Sequence, residues 1–181
     1  LQPDDGYNFW WRGRAYFEMK DYQAAIRDFS RAIELQPDDP SNYNNRGIVY
    51  RTMGEYEKAL ADYTKAIELK PDDYDPYIGR GLAYRALGRY DEALADFARV
   101  IELNPQDGAA YNQRGIIYRN MGRFEEALPE YTRAIELQPV NFDPYIGRAL
   151  AYRGLGRFQE ALADLNRAVK LQPVSYTHLR A

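Results

Sequence analysis

Arginine is the residue whose placement in this sequence first suggests chemistry. Arg51, Arg85, Arg119 and Arg153 follow one another at intervals of 34 residues, and Arg12, Arg46, Arg80, Arg114 and Arg148 form a second register with the same interval. A guanidinium is a planar fork of donors that matches a carboxylate, so the first register reads as a row of acid-binding groups. The second is followed, again at constant spacing, by Asp28, Asp62, Asp96, Glu130 and Asp164. Those arginines and acids are expected to pair within or between neighbouring units, because a partly buried guanidinium needs a carboxylate. Ahead of the first register stand Asn44 and Asn112, whose amides both give and accept hydrogen bonds, alternating with Ile78 and Ile146. Between them lie Ile48, Leu82, Ile116 and Leu150.

Bond-making chemistry has little to work with. Cysteine is absent, the single histidine is His178, and Ser30 and Ser41 have no base placed beside them in any repeated pattern. The acidic pairs Asp38-Asp39, Asp72-Asp73 and Glu125-Glu126 fall at turns and helix starts, where capping accounts for them. No catalytic residue, metal ligand or cofactor site is expected, and the chain is not read as an enzyme. A net charge of -3 with interspersed signs gives no footprint for nucleic acid, and no polybasic run suits a membrane surface. No apolar run approaches the roughly 18 residues of a membrane span.

The elements that must position these side chains are helices in pairs. Tyr43, Gly47, Tyr50 and Met53 share one helical face; Tyr56, Ala59, Leu60, Tyr63, Ala66 and Ile67 share another. Gly54, Gly88, Gly122 and Gly156 sit where each first helix must stop and reverse. Asp39-Pro40, Asp75-Pro76 and Asp143-Pro144 read as a capping carboxylate followed by a proline at the first helical position. Pro37, Pro71, Pro105, Pro139 and Pro173 close the second helices. The spacing predicts first helices at 7–19, 41–53, 75–87, 109–121 and 143–155, and second helices at 22–35, 56–69, 90–103, 124–137 and 158–171. Pro129 predicts a slight kink or a late start in the fourth second helix. Lys20 stands in for the hairpin glycine in the first unit, and Trp10-Trp11 for Asn44-Asn45.

Tyr43, Gly47, Tyr50, Ala59, Tyr63, Ala66 and Pro71, with their counterparts 34 residues apart, make the chain resemble the tetratricopeptide repeat family. The resemblance implies an all-α, right-handed α-solenoid of helix-turn-helix repeats. Repeats are expected at 6–39, 40–73, 74–107, 108–141 and 142–173. Residues 1–5 read as the end of a preceding repeat, Leu1-Gln2-Pro3-Asp4-Asp5 matching Leu35-Gln36-Pro37-Asp38-Asp39. Residues 174–181 break the pattern and resemble translated sequencing-adapter read-through.

The same resemblance implies a concave face lined by first helices that holds a partner's peptide segment. Its expected lining is Asn44, Ile48, Arg51, Ile78, Leu82, Arg85, Asn112, Ile116, Arg119, Ile146, Leu150 and Arg153. The expected partner is a protein or peptide carrying acidic and apolar residues, extended or as a short helix. The terminal-carboxylate clamp of chaperone-binding members is not expected, because its second Asn position holds Ile48, Leu82, Ile116 and Leu150. A different class of reading makes the chain the recognition domain of a larger glycosyltransferase, kinase or peptidase. A third is end-to-end self-association of stacked repeats. The expected location is cytoplasmic.

Overall fold

The computed structural model describes residues 5–171. The readings of residues 1–4 and of the 174–181 tail lie outside the described residues. Among those described there are ten helices and no strand, paired as hairpins in an all-α, solenoid-type array. The array falls into two compact units, one ending at Leu103 and the other starting at Asn104.

The first unit holds α1 (Gly6–Glu18), α2 (Tyr22–Leu35), α3 (Pro40–Thr52), α4 (Tyr56–Leu69), α5 (Asp75–Ala86) and α6 (Tyr90–Leu103). Each odd helix packs antiparallel on the even helix that follows it, and each even helix also touches the next odd one. The odd helices α1, α3 and α5 lie side by side along one face. The second unit repeats the plan with α7 (Gly108–Asn120), α8 (Phe124–Leu137), α9 (Asp143–Gly154) and α10 (Phe158–Leu171).

The hairpins close because small and large residues alternate across the contact. In α4 the buried set is Ala59, Leu60, Asp62, Tyr63 and Ala66, a single stripe at helical spacing. The Tyr63 ring lies against Gly47 of its own hairpin, where a Cβ would stand 2.9 Å from the ring. Removing one such fully buried large side chain from water is worth about 1.5–3 kcal/mol.

Each hairpin turn ends α1, α3, α5, α7 and α9 in the same way. In the α3 turn, Gly54 N–H donates to Arg51 O at 3.0 Å and Glu55 N–H to Tyr50 O at 2.9 Å, with Gly54 at φ 79°. These are the two reverse bonds of a Schellman ending. In the α1 turn the same bonds form with Lys20 at φ 61°, a non-glycine held in the left-handed region.

Two expectations need correction. Asp75 and Asp143 do not cap their helices but occupy their first helical positions, because Tyr74 and Phe142 already adopt helical backbone ahead of them. The backbone N–H groups of Asp75 and Asp143 are instead met by Asp73 Oδ1 at 3.2 Å and Asn141 Oδ1 at 3.0 Å. The late start allowed for α8 does not occur either. It begins at Phe124, at the offset of the other even helices, and carries Pro129 inside it.

Candidate functional site

The second arginine register proves to be scaffold. Arg12, Arg46, Arg80 and Arg148 each send Nε and Nη2 to both carboxylate oxygens of Asp28, Asp62, Asp96 and Asp164, at 2.6–2.9 Å. Nη1 of Arg46, Arg80 and Arg148 also reaches back to the preceding hairpin, to Ser30 at 3.0 Å, Thr64 at 3.2 Å and Thr132 at 3.0 Å. One guanidinium thus ties three helices together. Arg114 departs from this: it meets Glu130 through Nη2 at 2.9 Å, and its buried Nε has no hydrogen-bond partner. Hydrogen bonding to Asp62, Asp96 and Asp164 raises the affinity of Arg46, Arg80 and Arg148 for their protons, so all three stay charged. Burial pushes the Glu130 carboxyl above the ordinary carboxylate range, against the opposing charge of Arg114.

The first register faces a different way. In the first unit Asn44, Ile48 and Arg51 of α3 and Ile78 and Leu82 of α5 surround one concavity of about 170 Å³, together with Asp75 and Gly79. Five predicted residues are therefore gathered in one place, and an acid not counted among them sits there too. Arg85 lies in the last turn of the same α5.

Arg51 is fixed in direction. Its Nε donates to Tyr63 Oη at 3.2 Å, and the Tyr63 ring is wholly buried between α3 and α5. Burial raises the phenol's pKa beyond what the neighbouring Arg51 charge lowers it, so the hydroxyl keeps its proton. This phenol passes between the helices because α5 has Gly79 beside it.

A second concavity, of about 130 Å³, opens on the other side of Ile48, lined by Arg14, Phe17 and Glu18 of α1, Phe29 of α2, and Asn45 and Ile48 of α3. Ile48 belongs to both, so the two form one trough across α1, α3 and α5. Sequence reasoning missed its α1 end. Counting back 34 residues from Asn44, Ile48 and Arg51 leads to Trp10, Arg14 and Phe17, so the signal was present under divergent residue types. Arg14 stacks over the Trp10 ring at 5.4 Å. Asn44 Oδ1 and Trp10 Nε1 are buried without a hydrogen-bond partner, an acceptor and a donor at the same repeat offset.

In the second unit Asn112, Ile116 and Arg119 lie on α7, and Ile146, Leu150 and Arg153 on the adjoining α9. Ile116 packs against the cluster of Ala127, Tyr131 and Ala151. Arg119 is half-buried and Arg153 is exposed. Among the described residues no group of three or more His, Cys, Asp or Glu side chains is placed to hold a metal ion, and no helix is long and apolar enough to cross a membrane.

Family comparison matches the description "Tetratricopeptide repeat" at residues 42–73 and again at 78–144 and 112–176, and "TPR repeat" at 13–54. Comparison with curated protein sequences finds no match. Solved structures share the fold. A crystal structure of MamA is 23% identical with a TM-score of 0.84, over 97% of this chain and 96% of that one. MamA residues 41 to the end from Desulfovibrio magneticus RS-1 are 17% identical with a TM-score of 0.88, over 97% and 99%. YrrB, described as a TPR protein with an unusual peptide-binding site, is 24% identical with a TM-score of 0.77, over 98% and 92%.

Proposed function

The chain belongs to the tetratricopeptide repeat family, and from that premise we propose that it is a protein-interaction scaffold whose odd-helix face holds a segment of a partner protein. The observation that carries the reading is the trough over Ile48: an apolar floor of Ile48, Ile78 and Leu82, a fixed cation at Arg51 and an unpaired amide oxygen at Asn44. An unsatisfied buried acceptor costs about 1–3 kcal/mol, and a ligand N–H would relieve that cost once the Asn44 amide turns towards it. Arg51 suits an acidic side chain of the segment, and Asp75 gives the same concavity an anion for a cationic side chain or a backbone N–H. The partner is a protein or peptide with apolar and acidic residues. Arg85, Asn112, Ile116, Arg119, Ile146, Leu150 and Arg153 extend the candidate contact set on the odd helices.

The test is an unbiased peptide-library capture with the full chain and with Arg51→Ala, Arg85→Ala, Arg119→Ala and Arg153→Ala. Enrichment of peptides with acidic residues beside apolar ones, lost on Arg51→Ala, supports the reading. The same peptides bound with the same affinity by all four variants would remove the arginines as readers. An Ile48→Glu variant that binds unchanged would remove the trough itself.

A further inference from the structure

Helix α10 presents an apolar stripe: Phe158, Leu162, Leu165 and Val169 are 67%, 54%, 42% and 64% exposed. In α4 and α8 the residues at the offset of Leu165 are Tyr63 and Tyr131. Both are wholly buried, with the next odd helix, α5 or α9, lying against them at Gly79 and Gly147. The stripe on α10 is thus the face that elsewhere receives the next hairpin.

Helix α1 presents the opposite half of that contact. Arg46, Arg80 and Arg148 reach the preceding even helix through Nη1, and their side chains are 21%, 19% and 18% exposed. Arg12 grips Asp28 with the same fork yet is 58% exposed. Beside it stand Tyr7 and Trp11, exposed aromatics in edge-to-face contact 5.9 Å apart.

The two faces complement each other in size and in polarity. Where α4 carries the bulky Tyr63, α5 answers with Gly79; at the same offsets α10 carries the smaller Leu165 and α1 the larger Trp11. The offset that supplies the hydroxyls of Ser30, Thr64 and Thr132 holds Asn166 on α10, whose amide oxygen is an acceptor for Arg12 Nη1. We propose that α10 of one copy packs on α1 of a second copy as successive hairpins pack within the chain, so that the protein associates head to tail. The contact is heterologous, so each added copy leaves one α10 face and one α1 face at the ends, and the assembly either closes into a ring or continues.

The experiment uses the full chain and two blocking variants at exposed positions, Leu162→Glu with Val169→Glu on α10, and Trp11→Glu on α1. Sedimentation equilibrium follows mass against concentration, and circular dichroism verifies that the helices persist; Val169→Ser and Trp11→Ser replace any variant that loses them. The unmodified chain is expected to gain mass by about twofold or more as concentration rises, as a heterologous contact requires. Each variant alone is expected to stay monomeric, and their equimolar mixture to form a dimer through its one intact pair of faces. A monomer at every concentration up to about 1 mM, beyond which any association is weaker than about 4 kcal/mol, would overturn the proposal. So would continued self-association of either variant alone, or a mixture that remains monomeric. A peptide bound in the trough leaves all of these outcomes unchanged, so this test is separate from that of the trough.

Discussion

The Tyr63 ring occupies the space in which Gly79 would carry a side chain: a Cβ on Gly79 would stand 2.5 Å from it. That proximity lets the Tyr63 hydroxyl reach Arg51 and hold it at the trough. Gly79→Ala is expected to destabilise the protein by roughly 1–3 kcal/mol through overpacking. Combining it with Tyr63→Leu, the residue type found at Leu165, should recover part of the loss, and urea unfolding of the single and double variants measures that coupling. Additive losses would show that ring and glycine are energetically independent.

Lys20 holds the left-handed backbone that glycine holds at the other four hairpin turns. A side chain in that region costs about 1–2 kcal/mol, so Lys20→Gly should raise the urea midpoint by a corresponding amount. The gain should be absent when the same comparison is made at Glu18, which lies inside α1.

Pro129 lies within α8 at an offset where α4, α6 and α10 have Ala61, Ala95 and Ala163. Proline removes one helical hydrogen bond there, so Pro129→Ala is expected to stabilise the chain by up to about 3 kcal/mol. Native-state hydrogen exchange would show the gain first in the early turns of α8; unchanged protection there would refute it.

Glu130 has its carboxyl pKa raised by burial. A raised acid binds its proton more tightly in the folded than in the unfolded protein, so its ionised form is unfavourable at neutral pH. That disadvantage shrinks as pH falls through the folded pKa and is gone below the ordinary glutamate range. Comparing unfolding of the unmodified chain with Glu130→Gln from pH 7 to pH 4, the difference should shift in favour of the unmodified chain as pH drops. A constant difference would mean that Glu130 does not titrate in this window.

The even helices were legible to the residue, because the apolar spacing of Tyr56, Ala59, Tyr63 and Ala66 is unbroken and a turn and a proline bracket it. The odd helices end one residue earlier than the spacing predicts, since Met53 and its counterparts leave the helix to form the reverse turn. The pairing of Arg80 with Asp96 was legible from its constant interval. Asp75 misled: an acid before a proline has the composition of a cap, and only the helical backbone of Tyr74 moves the start of α5 ahead of it. Nor does the sequence alone reveal the bond between Arg51 and Tyr63, which depends on a ring threading past Gly79 from another hairpin. Trp10, Arg14 and Phe17 escaped notice for a simpler reason, namely that α1 keeps the repeat's positions but not its residue types.

Tyr63 with Gly79 and Tyr131 with Gly147 recur every second hairpin, whereas Asn45 and Gln113 hold the glycine's offset in the hairpins between. The unit of inheritance is consequently twice the unit of folding. A gene that gained or lost a single hairpin would set a tyrosine ring against a residue bearing a side chain, while a gain or loss of two preserves every fit. Such an array lengthens without strain only by duplication of pairs.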